Sequence, residues 1–206
     1  RNPIGTTVRK PLAGVGRHVI LRPAVQKRYV ELEEPTLEDQ RSDLERLLDA
    51  MDDVEPRVPL EVVRALGGTL RESDWKVTAV IADDLLIGVE PGDTSATRHA
   101  IAFDLGTTTV VATLLDLETG QPRAVRSILN EQQMFGADVI SRISATMLDD
   151  GALNRLQACA HDTLRTLTAE VCTEAGVDPG VVYEVVVTCN VTMIQLALGI
   201  DPEPLS

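Results

Sequence analysis

The sequence predicts a mixed α/β (α+β) fold in two parts, a small α+β domain and a larger part whose elements run β-β-β-α-α-β-α. Two observations predict this fold class. Stretches with the apolar spacing of amphipathic helices alternate with short β-branched runs typical of strands. The chain has 206 residues, of which 44% are hydrophobic, so it can bury one large core or two small ones.

Residues 1–35 predict a basic linker. The first 30 residues contain seven Lys and Arg side chains and no acid, which leaves 12 of the 19 basic side chains against all 32 acidic ones in the remainder. Pro3, Pro11 and Pro23 interrupt any helix in this segment. An arginine-rich start without acids also resembles an organellar targeting segment, but it has no apolar helical face, so a linker is the preferred interpretation.

Residues 36–97 predict a small α+β middle domain, because helical spacing of leucines is followed by two β-branched runs. The expected elements are a helix capped by Thr36 with the stripe Leu44, Leu47, Leu48 and Met51, a helix over 60–66 ended by Gly67 and Gly68, and strands over 75–82 and 85–90.

Residues 98–206 predict a three-stranded antiparallel meander followed by helices and one more strand. The short connections between the first three apolar runs indicate sequential pairing. The run 181–188 is continuously apolar, as is typical of a strand that is buried on both faces. The expected elements are strands over 99–104, 110–117, 123–129 and 181–188, and helices over 137–148, 153–175 and 190–198.

Composition excludes several classes of function. A net charge of −13 argues against a duplex nucleic-acid surface, and no apolar run approaches the roughly 18 residues of a membrane span. The three cysteines, Cys159, Cys172 and Cys189, form neither a disulfide framework nor a metal-binding pair, which predicts a cytoplasmic protein.

One stretch has the residue types of a phosphate-binding turn, Asp104-Leu105-Gly106-Thr107-Thr108-Thr109. Gly106 removes a side chain that would hinder close approach, the following amides can converge on an anion, and the threonines add hydroxyl donors. Asp104 beside phosphates predicts a Mg²⁺ ion held through water. The stretch is not a Walker A loop, and taken alone it also fits an ordinary hairpin with a glycine turn.

The order Asp-x-Gly-Thr-Thr between the first two strands of such an array resembles the first phosphate motif of the superfamily of acetate and sugar kinases, Hsc70 and actin (ASKHA). This resemblance implies that residues 98–206 form the N-terminal half of an actin/Hsc70/sugar-kinase-like (RNase H-like) nucleotide-binding domain.

Two further blocks resemble the reductive activators of corrinoid proteins. They are Asn130-x-Gln132-x-x-Phe135-Gly136-Ala137-Asp138-Val139-Ile140-Ser141-Arg142-Ile143 and Asn190-x-x-Met193 through Leu198-Gly199-Ile200-Asp201-Pro202. In that family an N-terminal ferredoxin-like domain with a [2Fe-2S] cluster passes an electron to a cobalamin-bearing partner, and an ATPase domain drives the step. The resemblance covers residues 98–206 and, more weakly, the linker and middle domain before them.

The resemblance implies ATP and Mg²⁺ as cofactors, a corrinoid protein as partner, and a homodimer. The residues that it places at the phosphates and the metal are Asp104, Gly106, Thr107, Thr108 and Thr109. No cysteine here has ferredoxin spacing, so the cluster is expected outside this chain, and the chain alone is expected to be inactive. The alternatives are a small-molecule kinase of the same superfamily, or a non-catalytic module for partner binding or dimerisation.

Two local features add expectations. Asp138 and Arg142, four residues apart on a helix, predict a solvated ion pair, with Asp138 facing the cleft as the alternative. The family usually has Gly-Asn where this chain has Cys189-Asn190. If that glycine served a left-handed turn or a close approach to ligand, the role of this region is changed here.

Overall fold

The structure, a computed structural model, describes residues 21–205, so most of the predicted basic linker lies outside the described residues. The described chain divides into two compact units, Leu21–Arg98 and the part from His99 onward. None of the helices within residues 21–205 is long and apolar enough to cross a membrane.

The small unit is a three-stranded antiparallel sheet with two helices, and its strands lie side by side in chain order. Its core includes the single tryptophan of the chain, Trp75, which is 6% exposed. The elements are β1 (Val25–Glu31), α1 (Asp43–Asp49), α2 (Leu60–Glu72), β2 (Lys76–Ala82) and β3 (Leu85–Pro91).

Strand β1 corrects the prediction of a linker over residues 1–35. Residues 25–31 pair with β2 in continuous antiparallel register, from Val25 opposite Ala82 to Glu31 opposite Lys76. The basic composition favoured a linker here, but the side chain of Lys27 is fully buried and its ammonium lies 2.7 Å from the carboxylate of Glu90. A lysine that is paired inside the fold does not mark solvated chain.

Both helices of the small unit have different ends from those predicted. Helix α1 begins after Ser42, whose side chain and that of Glu45 form a reciprocal capping box. Thr36 instead closes a separate turn, accepting hydrogen bonds from the amides of residues 38 and 39. Helix α2 continues past Gly67 and Gly68 to Glu72, because Leu70, which follows the two glycines, is completely buried. That burial outweighs the helix propensity cost of roughly 1 kcal/mol per glycine.

The larger unit confirms the predicted order of elements. The elements are β4 (His99–Leu105), β5 (Thr109–Asp116), β6 (Pro122–Leu129), α3 (Val139–Leu148), α4 (Ala152–Ala175), β7 (Val182–Cys189) and α5 (Val191–Leu198), with a 3₁₀ turn at Glu131–Phe135. The sheet has the order β6-β5-β4-β7, in which β4, β5 and β6 form an antiparallel meander and β7 runs parallel to β4.

Strand β7 is not buried on both faces as predicted. Within the described residues it pairs only with β4, and Val185 and Val186, which point to opposite faces, are 59% and 57% exposed. Within residues 21–205 the apolar side chains of β7 are therefore only partly covered.

The core of the larger unit lies between α4 and one face of the sheet. Ile101, Phe103 and Leu105 of β4 are buried there with Leu167 and Val171 of α4. Because strand side chains alternate between faces, Asp104 points to the opposite face and is exposed. The hydrophobic register of β4 thus fixes where this carboxylate lies.

The carboxylate of Asp39 makes the stability of the small unit depend on pH. Hydrogen bonds from Arg41, and from Arg46 at 2.7 Å, hold the pKa of Asp39 well below its usual range. The guanidinium side chain of Arg46 is only 3% exposed. A lowered pKa in the folded state contributes stability above the unfolded pKa of about 4, and that contribution is lost as the pH falls.

We expect Asp39→Asn to lower the urea midpoint at pH 7, and the difference from wild type to shrink as the pH falls below about 4. Trp75 fluorescence reports on this unit alone, because it holds the only tryptophan. Glu38→Gln, at the exposed neighbouring position, is the control and should leave the midpoint unchanged. A difference in urea midpoint that is the same at every pH would show that the charge of Asp39 is not what stabilises this unit.

Candidate phosphate-binding site

The β4–β5 turn lies where the carboxyl ends of two parallel strands meet. Residues 106–108 connect β4 to β5, and the parallel register places Leu105 at the end of β4 beside Cys189 at the end of β7. Helix α5 begins at Val191, one residue further on, with Asn190 as its cap. The five residues predicted to contact phosphate and metal, Asp104, Gly106, Thr107, Thr108 and Thr109, therefore lie together at one edge of the sheet.

The three carbonyl groups of this turn all accept hydrogen bonds from the elements behind it. The side-chain amide of Asn130 donates to Gly106 O at 2.9 Å, and the guanidinium of Arg142 donates to Thr107 O at 2.6 Å. Thr108 O accepts from the side-chain amide of Gln133 and from the backbone amide of Asn130, both at 2.9 Å. These hydrogen bonds to the carbonyl oxygens of residues 106–108 hold the turn in place.

Fixing the carbonyls determines where the amides point. The chain has no cis peptide bond in its described part, and in a planar trans peptide the N–H and C=O groups point in opposite directions. The N–H groups of Thr107 and Thr108 therefore face away from the supporting side chains, and within residues 21–205 neither donates to a protein acceptor. Adjacent free amides of this kind form a nest for an anion.

Gly106 is needed for the turn itself. A Cβ atom built on Gly106 would lie 2.5 Å from the backbone oxygen of Thr109, which is closer than carbon and oxygen can approach. The sequence predicts that this glycine makes room for a ligand. The structure supplies another reason, because the glycine lets the backbone fold back on itself at the start of β5.

Asp104 presents a single carboxylate beside the nest. It pairs in register with Thr188 of β7, and both residues are exposed. Within the described chain no group of three or more His, Cys, Asp or Glu could hold a metal ion by itself. One carboxylate next to a phosphate site fits Mg²⁺, which keeps most of its waters and binds proteins through one or two carboxylates together with substrate phosphates.

Asn190 connects the turn to helix α5. Its side-chain oxygen caps the helix by accepting from the amide of Met193 at 2.9 Å, and its side-chain nitrogen lies 3.2 Å from Thr107 Oγ1. Since Thr107 Oγ1 accepts from Asn190, its own hydrogen is free to donate to a ligand.

Cys189 stands where the resemblance led us to expect a glycine. It lies within strand β7, and it is not among the described residues with positive φ, so no left-handed turn is required here. Burial, and then the charge of Asp104, raise the pKa of the Cys189 thiol. The thiol is therefore protonated near neutral pH, and it adds no charge to the site.

The predicted solvated ion pair between Asp138 and Arg142 is wrong. Asp138 is exposed and caps α3 by accepting from the amide of Ser141 at 2.8 Å. Arg142 is fully buried, and burial lowers the pKa of its guanidinium. The spacing of four residues predicted the wrong partner because it says nothing about which face of the helix is covered.

Sequence reasoning also gave no role to Asn130 and Gln133, which hold the turn. The available signal was their position, because they are amide side chains that follow an apolar strand almost at once. Asn130 is 1% exposed and its neighbour Gln132 is fully buried, donating to Leu156 O at 2.8 Å. Buried amides of this kind are retained for the hydrogen bonds they make.

Comparison with known proteins gives consistent matches along the chain. The family model described as the RACo middle region matches residues 99–206, more than half of the chain, and the one described as the RACo linker region matches residues 14–96. The small unit therefore corresponds to the linker region of that family, and the larger unit to its middle region.

Two individual proteins show the same likeness. The corrinoid activation enzyme RamQ of Eubacterium limosum is 37% identical over 107 residues, which cover 52% of this chain and 18% of RamQ. A solved structure of a reductive activator for corrinoid, iron–sulfur protein matches with a TM-score of 0.79 at 32% identity, covering 91% of this chain and 31% of that protein. This chain thus spans less than a third of either relative.

The close approach at Gly106 predicts that Gly106→Ala lowers the unfolding free energy of the larger unit by about 1 to 3 kcal/mol, since the turn must open to admit a methyl group. Hydrogen exchange of the slowest amides in β4 measures this loss. Gly88→Ala in strand β3 is the control, because a Cβ there meets nothing within 4 Å. Equal exchange rates in wild type and Gly106→Ala would show that the turn is not constrained by this contact.

Proposed function

Because this chain belongs to the RACo family of reductive activators of corrinoid proteins, we propose that it is part of an ATP-dependent reductive activase. The activase returns the cobalt of a corrinoid methyl-transfer protein from Co(II) to Co(I). In this proposal residues 98–206 form one half of the nucleotide-binding domain, and the β4–β5 turn binds the phosphates of ATP.

The observation that carries the proposal is the orientation of the peptides in this turn. Three carbonyl groups are held inward, which leaves the amides of Thr107 and Thr108 free to receive phosphate oxygens. The hydroxyl of Thr107, positioned by Asn190, adds a further donor. An ordinary hairpin would not need buried side chains to hold its carbonyls.

Asp104 is the residue that would hold Mg²⁺ through water. The metal, when bound with nucleotide, would neutralise phosphate charge that would otherwise repel the carboxylate. The chain's own contribution is to fix Asp104 on the open face of β4, next to the free amides.

The rest of the activity is proposed to reside in parts of the protein beyond this chain. The match covers 31% of the related activator and 18% of RamQ, so a second wall for the nucleotide and the electron source are assigned there. Phosphates held by one wall only would remain in contact with water, and their binding would be weak. The proposed active form contains both walls and two copies of the protein.

The proposed role of ATP is to drive a conformational change. A reduced iron–sulfur centre elsewhere in the protein would supply the one electron that converts Co(II) to Co(I). Co(I) lies at a low potential, so the transfer becomes favourable only when the corrinoid protein is held in a different state. Nucleotide can supply that difference only by binding two conformations of the activase with unequal affinity.

We expect Asp104→Ala in the full-length protein to reduce Co(II) corrinoid at the rate seen without nucleotide, because the carboxylate for Mg²⁺ is missing. The visible absorption of the corrinoid measures the rate, and circular dichroism checks that the fold is intact. Asp150→Ala, in the exposed turn between α3 and α4, is the matched control and should keep the full response to ATP. An unchanged ATP response in Asp104→Ala would remove this residue from the site.

A further inference from the structure

Arg142 is a buried cation without an acidic partner. It is fully buried, and its nitrogens donate to Gly136 O at 3.1 Å, Gln132 Oε1 at 3.2 Å and Thr107 O at 2.6 Å, with Met193 Sδ also at 3.2 Å. Within the described residues none of its hydrogen-bond or ion-pair partners is a carboxylate. Its hydrogen bonds all go to neutral acceptors, and the carboxylate of Asp138 acts on its charge only through space.

The environment of Arg142 is unusual on energetic grounds. A buried charge is costly unless it is paired, and a buried arginine is commonly matched by Asp or Glu. The second arginine that is buried within residues 21–205, Arg46 in the small unit, follows that rule, with the carboxylate of Asp39 at 2.7 Å. The acid nearest to Arg142 in sequence, Asp138, is exposed and its carboxylate caps α3.

The shortest of these contacts joins Arg142 to the turn between β4 and β5. The carbonyl of Thr107 belongs to the same peptide as the amide of Thr108, so a donor at the oxygen fixes the direction of the N–H group. A charged donor at the oxygen also polarises the peptide, which makes the opposite N–H a stronger donor. The guanidinium therefore influences the N–H group of Thr108 through the peptide, although it contacts only the carbonyl oxygen of Thr107.

We propose that Arg142 is the positioning residue of the phosphate site, which orients the Thr107–Thr108 peptide and places behind it a positive charge that no carboxylate hydrogen-bonds. The proposal rests on the proposed function, since it assumes that the turn binds phosphate. The missing counter-ion is then the nucleotide itself, whose phosphates approach the opposite side of the same peptide. A carboxylate partner for Arg142 would cancel this effect.

The test separates phosphate affinity from folding by the choice of ligand. Calorimetric titrations of the full-length protein with MgATP and with adenosine, which carries no phosphate, measure two dissociation constants for each variant. Arg142→Gln keeps a donor for Thr107 O but removes the charge, and we expect its dissociation constant for MgATP to rise about tenfold or more, as for loss of a charged hydrogen bond. Its affinity for adenosine should equal that of wild type.

A conservative variant and a control complete the set. Arg142→Lys retains the charge on a single-donor group, so its affinity for MgATP should lie between those of wild type and Arg142→Gln. Should the glutamine variant not fold, Arg142→Lys alone tests the proposal, by the ratio of its dissociation constants for MgATP and adenosine. Arg165→Gln removes an exposed arginine whose partner is Asp162, and it should bind both ligands as wild type does.

Three results would overturn the inference. MgATP affinity in the Arg142 variants equal to that of wild type would show that the charge does not act on phosphate. Parallel losses for MgATP and adenosine would assign Arg142 a purely structural role. Failure of the wild-type protein to bind MgATP would refute the proposed function itself, whereas the first two results leave that function standing.

Discussion

The structure of the larger unit depends on one constraint, that the three carbonyl oxygens of residues 106–108 are bound from behind. The donors come from Asn130, from the 3₁₀ turn that it caps and from helix α3, which all follow β6 in sequence. Without these donors the turn would be an ordinary β-hairpin connection whose amides are free to rotate inward. With them, the direction of each amide is set before any ligand arrives, which is the preorganisation that a binding site needs.

The meander explains why these donors are in the right place. Strands β4, β5 and β6 are sequential and antiparallel, so the end of β6 returns to the edge where the β4–β5 turn lies. Asn130 is the first residue after β6, and its backbone and side chain reach Thr108 O and Gly106 O. Parallel strand β7 brings Asn190 to the same edge. Topology, rather than a single motif, thus assembles the site around Asp104.

The sequence predicted most of the fold because apolar periodicity decides most elements. It could not predict the points where two local signals compete. Thr36 and Ser42 can both cap a helix, and only the reciprocal contact with Glu45 selects Ser42. Of the site, the sequence predicted the turn, but not its supports. Arg142 has the spacing of a surface ion pair with Asp138, and nothing local reveals that its helix turns this side inward.

The account rests on free amides at the turn, and nuclear magnetic resonance of the backbone amides of Thr107 and Thr108 tests it most directly. In the full-length protein with MgATP, we expect the ¹⁵N and ¹H resonances of both residues to move downfield and their hydrogen exchange to slow, because each amide gains a charged acceptor. Nucleotide bound at saturation with both resonances unmoved would contradict the account and place the phosphates elsewhere.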